Sequence, residues 1–270
     1  MPRVRRLLSQ LLWRVVYPAL PRRWRLPMYY LYYGYKGIRE PELDLLPLIV
    51  PTDQHAVDIG ANLGLYSYRL ARICSRIDAY EPNAECRAVL AQYGHPAIHV
   101  HPVALSSAPG QAQLQIPSVG GRELAGHGSM AYTPQGDSHR VLLVPVETLD
   151  QQQLTNVGFI KIDVEGHELA VLQGGEATLQ AQRPVLLIEI EQRHLSQPIG
   201  QVFAWILAHG YRGYYWLGGR LQPLSSFDVR THQDAVSGAQ PYVNNFFFFP
   251  VHDRQLMDRL QKLELIRIPH

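Results

Sequence analysis

Val57-Asp58-Ile59-Gly60-Ala61-Asn62-Leu63-Gly64-Leu65-Tyr66-Ser67 is the stretch on which the reading of this chain turns. A short apolar run, residues 55–59, ends in Asp-Ile-Gly, as expected of a buried parallel strand at its ligand-facing end. Gly60 and Gly64 permit positive φ and close backbone approach to a ligand. Residues 64–75 then carry helical spacing, and the start of that helix offers unpaired N–H groups. What is missing narrows the ligand. A dinucleotide fingerprint counted from Gly60 requires glycine where Asn62 and Leu65 stand. An acidic strand end, Asp58, sits badly beside a pyrophosphate and well beside the ammonium of a methionine moiety. S-Adenosyl-L-methionine carries that ammonium and no phosphate, so the charges favour it.

Further along, residues 77–80 form a second apolar run that ends in Glu81-Pro82. A carboxylate at that strand end can accept hydrogen bonds from both hydroxyls of a ribose, a role that dinucleotide sites share. Asn83 follows as the N-cap of a helix over 83–93. The cofactor set is therefore Asp58, Gly60, Asn62, Gly64, Glu81 and Asn83.

The alternation continues. Residues 98–105, 159–162, 185–190 and 246–249 read as strands, and 41–49, 168–182 and 196–209 as helices. Strands alternating with helices predict an open, mostly parallel α/β sheet covered on both faces. Residues 117–140, rich in Gly, Ser, His and Pro, break the rhythm. They are expected to be either a lid or substrate loop or a plain surface insertion.

A second group of charged residues gathers at the end of the run 159–162. Lys161 and Asp163 are two apart and share a face while the strand lasts, and Glu165-Gly166 turns the chain into the next helix. The run 185–190 ends with Glu189 and Glu191, and His194 follows. Lys161 lies between Ile160 and Ile162 and should be buried, so it requires a carboxylate partner, and Glu189 is the first candidate. Asp163, Glu165, Glu189 and His194 are the candidate general bases for activating a hydroxyl. Asp163 could instead position the methionine end of the cofactor. Carboxylates at adjacent strand ends can bind Mg²⁺, but no spacing is specific for a metal and none is expected.

Several stretches resemble the FkbM family of methyltransferases: residues 57–64, Tyr80-Glu81-Pro82-Asn83, Val103-Ala104-Leu105-Ser106, Thr148-Leu149-Asp150, Ile160-Lys161-Ile162-Asp163-Val164-Glu165-Gly166-His167-Glu168, Leu187-Ile188-Glu189-Ile190-Glu191 and Val243-Asn244-Asn245-Phe246-Phe247-Phe248. They occur in family order over roughly residues 50–250. The resemblance implies a class I, Rossmann-like methyltransferase fold, doubly wound around a seven-stranded sheet whose last strand is antiparallel. It also implies methyl transfer, usually to a hydroxyl of a sugar, glycan, polyketide or other natural product. Nothing in it extends to residues before 40 or to 117–140.

Composition sets outer bounds. Hydrophobic residues make up 46% and charged residues 18% of 270, a globular mixture. Cys74 and Cys86 have no disulfide or metal spacing and point to a reducing compartment, so a cytoplasmic location is expected. Residues 1–39 hold nine basic side chains and no acid. Taking those nine from the chain's 25 leaves sixteen bases against 23 acids, a net charge of −7 over residues 40–270. An acidic body argues against nucleic acid as partner. Two units are expected: a basic amphipathic arm, 1–40, and a methyltransferase domain, 41–270. Residues 3–17 read as an amphipathic helix that Pro18, Pro21 and Pro27 break. The basic segment 3–25 either contacts an anionic inner membrane surface or packs its apolar stripe on the domain. The competing functions are a nicotinamide dehydrogenase, a catalytically silent cofactor-binding or membrane-associated protein, and a methyltransferase acting on nitrogen or RNA.

Overall fold

The computed structural model describes residues 17–119, 122–123, 129–130, 138–233 and 242–265. The chain opens with a helical turn, Tyr17–Ala19, then α1 (Arg25–Lys36) and α2 (Glu42–Ile49). Next come β1 (His55–Ile59), α3 (Leu65–Leu70), β2 (Ile77–Tyr80), α4 (Ala84–Tyr93) and β3 (Ile98–His101). After them come β4 (Ala104–Leu105), β5 (Gly110–Val119), β6 (Arg122–Glu123) and β7 (Ser138–Glu147). The second half contains β8 (Val157–Ile162), α5 (Glu168–Gln173), α6 (Glu176–Gln182), β9 (Val185–Glu189) and α7 (Ile199–Ala208). It closes with β10 (Tyr211–Leu217), β11 (Arg220–Pro223), α8 (Val229–His232), β12 (Asn245–Pro250) and α9 (Arg254–Lys262).

The main sheet has the order β11-β10-β12-β9-β8-β1-β2-β3. β3, β2, β1, β8 and β9 run parallel, and β12 lies antiparallel between β9 and β10. This is the class I methyltransferase arrangement, with one strand more than the seven the resemblance implies. The extra strand is β11, antiparallel to β10 across the two-residue turn Gly218-Gly219. Both glycines have positive φ, +61° and +80°, the backbone that tight hairpins require.

The central strands are apolar on both faces because helices cover both. Phe246 and Phe248 enter one core with Val57, Ile160, Leu186 and α7, while Phe247 and Phe249 enter the other with Ala56, Phe159, Leu187, α2 and α9. Four consecutive phenylalanines thus serve two cores through the period-two alternation of a strand.

Three local expectations need correction. Pro27, expected as a helix breaker, instead lies inside a helix that continues through the tyrosine-rich segment after it. Pro27 is the third residue of α1, in the first turn, where its missing N–H has no intrahelical partner to lose. Residues 98–105 split at Pro102-Val103, so that β3 edges the main sheet and β4 joins a second one. Residues 168–182 form two helices, interrupted at Gly174-Gly175, because a Cβ on Gly174 would lie 1.9 Å from the Ser106 carbonyl oxygen.

That second sheet, β4-β7-β5-β6, stands where a loop insertion is expected. β5 and β7 pair over nine residues, from Gly110↔Val146 to Ser118↔Ser138, and frame the 117–140 segment, much of which lies outside the described residues. Residues 25–40 pack on the domain: Leu26 is fully buried and Tyr30 meets Tyr68 at 5.0 Å between ring centroids. The amphipathic stripe expected over 3–17 lies, but for Tyr17, outside the described residues. Among the described residues no helix is long and apolar enough to cross a membrane.

Candidate functional site

A cavity of about 290 Å³ opens at the carboxyl ends of β1, β2, β8 and β9, where ligands bind in open α/β sheets. Six carboxylates line it, Glu40, Asp58, Glu81, Asp163, Glu165 and Glu189, against a single cation, Lys161, among the described residues. Register explains much of this clustering. Asp58 pairs with Lys161 across β1–β8, and Asn245 pairs with Glu189 across β12–β9. These residues share parity with Ala56, Phe159, Leu187 and Phe247, so all four project to the same face of the sheet.

On the β1–β2 wall, Asp58 is buried, and its Oδ2 accepts a 2.6 Å hydrogen bond from the Ser67 hydroxyl on α3. Burial raises its pKa, opposed by that hydrogen bond and by Lys161. Glu81 accepts the Asn62 N–H at 2.8 Å on one oxygen and the Asn83 N–H at 2.7 Å on the other. Burial raises its pKa to about 7, with both hydrogen bonds opposing the rise. Asn62 holds a left-handed backbone, φ +51°, which aims its N–H at Glu81. Asn83 is the N-cap of α4, its Oδ1 accepting the Glu85 N–H at 3.1 Å.

The Gly60 and Ala61 N–H groups both donate to the Tyr80 carbonyl and Asn62 donates to Glu81, so the glycine turn clasps β2. Gly60 is required by the protein itself. At φ +78°, a Cβ there would fall 1.9 Å from the Asp163 carbonyl oxygen. Gly64, the N-cap of α3, makes room for Leu90 in the same way, at 2.4 Å.

On the β8–β9 wall, the fully buried Lys161 Nζ donates to Asn245 Oδ1 at 3.2 Å and to the Ile162 carbonyl at 3.3 Å, and lies 3.8 Å from Asp163 Oδ2. It also stands 5.0 Å from the centre of the Tyr66 ring. Its ion partner is therefore Asp163 and not Glu189, whose Oε1 instead accepts from Asn244 at 2.7 Å. Glu189 reaches Lys161 only through longer-range charge. Burial lowers the Lys161 pKa, and the surrounding carboxylates outweigh it, so the amine stays charged. Burial raises Asp163 to about 6, held back by Lys161 and reinforced by Glu165. Glu189 rises to about 9 through burial and then the charge of Asp163.

Glu165 takes the left-handed region, φ +50°, ahead of Gly166 at φ +95°. Such backbone strain is a mark of functional positions. Its Oε2 lies 2.7 Å from His194 Nδ1, and its carbonyl accepts, at 2.7 Å, the hydroxyl of Ser129, which bridges to Gln115 of β5 from the segment between β6 and β7. His194 stands behind Glu165 and is not among the residues that line the cavity. Glu165, Glu191 and His194 bring three ligand atoms within 4.8 Å, a grouping of the size a cation uses. Glu191 is already paired with Arg193 at 2.9 Å and with the Tyr242 hydroxyl.

Three contributors lie outside the residues singled out in the sequence. Glu40 accepts the Tyr66 hydroxyl at 2.5 Å and the Asn245 amide at 3.1 Å, while Tyr33 comes from α1 and Met130 from the segment between β6 and β7.

A sequence profile of the methyltransferase FkbM domain matches residues 58–212, more than half of the chain. The chain belongs to the FkbM methyltransferase family. No curated protein matches it. Solved structures similar to this family member include the FkbM methyltransferase of Methylobacillus flagellatus KT, at 19% identity and TM-score 0.48, covering 74% of this chain and 44% of that one. An rRNA methylase of Streptococcus thermophilus is 10% identical, with TM-score 0.41, covering 78% and 95%. TrmK of M. capricolum, in complex with S-adenosylhomocysteine, is 9% identical, with TM-score 0.36, covering 78% and 66%. The FkbM-family chain described here spans less than half of the Methylobacillus protein.

Proposed function

We propose that this FkbM-family chain transfers a methyl group from S-adenosyl-L-methionine to a hydroxyl oxygen of a small-molecule, sugar, glycan or lipid-linked acceptor. The observation that carries this reading is the acidic lining of the cavity, six carboxyl groups, of which Glu189 is protonated near neutrality, against one lysine. Such a wall attracts a ligand bearing a sulfonium and an ammonium and repels the pyrophosphate of a dinucleotide. It also disfavours a phosphodiester acceptor such as RNA. The residues present therefore fit the cofactor. Glu81, which already accepts the Asn62 and Asn83 N–H groups, would accept the ribose hydroxyls with its remaining lone pairs. Asp58 supplies negative charge for the ammonium. When bound, S-adenosylmethionine supplies an electrophilic methyl carbon on a sulfonium.

The chain's own groups then have two tasks. Placing the acceptor oxygen in line with the methyl carbon removes much of the entropic barrier. Taking the hydroxyl proton is the second task, and Asp163 suits it. Its pKa of about 6 leaves it ionised at neutral pH and still basic enough to accept a proton, the range in which general bases work best. An Asp163 oxygen would take the proton from the acceptor hydroxyl as that oxygen takes up the methyl group, so that the acceptor leaves as a neutral ether. Lys161 holds that carboxylate in place. Glu189, at about 9, remains protonated near neutrality and serves as a hydrogen-bond donor in place of a second base. Calorimetry with adenosylmethionine, its demethylated product and NAD, followed by radiolabel transfer to pools of hydroxyl acceptors, tests the proposal. Binding of the first two and label on an oxygen are expected. Binding of NAD alone, or label only on nitrogen or RNA, contradicts it.

A further inference from the structure

Helix α1 has two apolar faces, one of which packs on the domain. Leu26 and Tyr30 pack inward and Tyr33 reaches the cavity. Trp24, then Leu31 and Tyr35 at intervals of seven and four residues, fall on the opposite side of a helix with 3.6 residues per turn. They are 54%, 65% and 62% exposed, and Ile38, just past the Gly37 cap, is 58% exposed. Cations bracket this row. Arg22 and Arg23 are exposed at one end, and Lys36 at the other places its Nζ 5.5 Å over the Tyr32 ring. No acidic residue precedes Glu40.

We infer that the outer face of α1 is a docking surface for an anionic lipid bilayer, with the helix lying in the plane of the headgroups. Tryptophan and tyrosine favour the layer where a ring can be apolar on its body and wet at its tip. Leu31 and Ile38 reach the acyl boundary, while Arg22, Arg23 and Lys36 meet the phosphates. The centre of a protein–protein interface is depleted of charge. Here basic groups border the apolar row at both ends and residues 1–39 contain no acid, which fits a headgroup layer better. Twelve residues at helical rise extend only about 18 Å, so the helix rests on a bilayer and does not span it. Its inner face supplies Tyr33 to the cavity wall, so attachment brings the cavity to about one helix diameter, roughly 10 Å, from the headgroups.

The inference stands apart from methyl transfer, and its test needs no cofactor. Full-length protein is floated with vesicles of phosphatidylcholine alone, or mixed with phosphatidylglycerol, at low and at high salt. Wild type should float with the mixed vesicles at low salt and lose most of that binding at high salt. Leu31→Glu should weaken binding by about tenfold or more, the loss expected for one leucine withdrawn from an apolar contact. Arg22→Gln with Arg23→Gln should weaken it by about fivefold for each arginine. Both variants change exposed side chains and should melt as wild type does. If Leu31→Glu fails to fold, the arginine pair carries the test. Wild type that ignores anionic vesicles overturns the inference. So does wild-type binding by the α1 variants, which would assign attachment to residues outside this helix. A change of oligomeric state on Leu31→Glu without any vesicle binding would make the face a contact between copies, and also overturns it.

Discussion

The two walls of the cavity hold their carboxylates by different means. On the β1–β2 wall, neutral donors do the work: the Ser67 hydroxyl on Asp58, and the Asn62 and Asn83 N–H groups on Glu81. On the β8–β9 wall the Asn244 amide holds Glu189 and His194 lies against Glu165, and in addition Asp163, Glu165, Glu189 and Lys161 influence one another through charge. Neutral donors fix where a carboxylate points without coupling it to another group's proton. Charge coupling leaves orientation looser and makes each proton depend on the next. In the proposed reaction the first wall holds the ligand and the second moves the proton.

Substitutions on either wall can break or sharpen that contrast. The largest effect is expected at Gly60, which joins the two walls. Gly60→Val places a branched side chain on the Asp163 carbonyl at a left-handed backbone position. It should cost about 3 kcal/mol or more of stability, read as a lower melting temperature whether or not cofactor is present. A folded, fully stable Gly60→Val that merely fails to bind cofactor would show that the glycine serves the ligand instead. Next is Glu81→Gln. Its amide nitrogen cannot accept, so one of two backbone donors is stranded, and cofactor affinity should fall by about tenfold or more in calorimetry.

Glu189→Gln reads the charge-coupled wall through stability. The folded-state pKa of Glu189, about 9, lies above its ordinary value of 4.5. The folded protein therefore binds this proton more tightly than the unfolded chain. The corresponding stability is complete below about pH 4.5 and is lost as pH rises through about 9. Denaturant titrations across that window should show a shallower decline for Glu189→Gln than for wild type. A steeper decline would return Glu189 to the role of charge partner for Lys161. The smallest effect belongs to Ser129→Ala, which removes the bond from the β6–β7 segment to the Glu165 carbonyl and should cost about 1 kcal/mol.

How legible the molecule was depends on how local each signal is. β1 and β2 span the residues that their apolar runs predict, because a strand buried on both faces needs nothing but a short apolar run. The second sheet was missed although β5 announces itself in Gln111-Ala112-Gln113-Leu114-Gln115-Ile116, a strict polar–apolar alternation that the irregular composition of 117–140 overshadowed. Gly218-Gly219 was likewise a hairpin signal. At the site, Asp58, Glu81 and Asp163 were legible because each ends a recognisable strand. Glu40 was not. It lies before β1 and reaches the cavity only because α1 and α2 fold back over α3, a tertiary fact with no local pattern. Lys161 was correctly expected to be buried and paired, but its partners depend on the β9–β12 register, which places Asn245 and not Glu189 within reach.

The central claim, that one wall holds and the other transfers, is tested most directly at Asp163. Asp163→Asn keeps the shape of the side chain and removes its basicity. Cofactor affinity by calorimetry and methyl transfer to an acceptor found in the hydroxyl pools should be measured on the same preparation, across pH. The account predicts near wild-type affinity and a rate about 10²- to 10⁴-fold lower. Wild-type activity should rise as pH passes about 6, and the variant should lose that rise. Unimpaired transfer by Asp163→Asn, or a loss of cofactor affinity that accounts for the whole loss of rate, would contradict it.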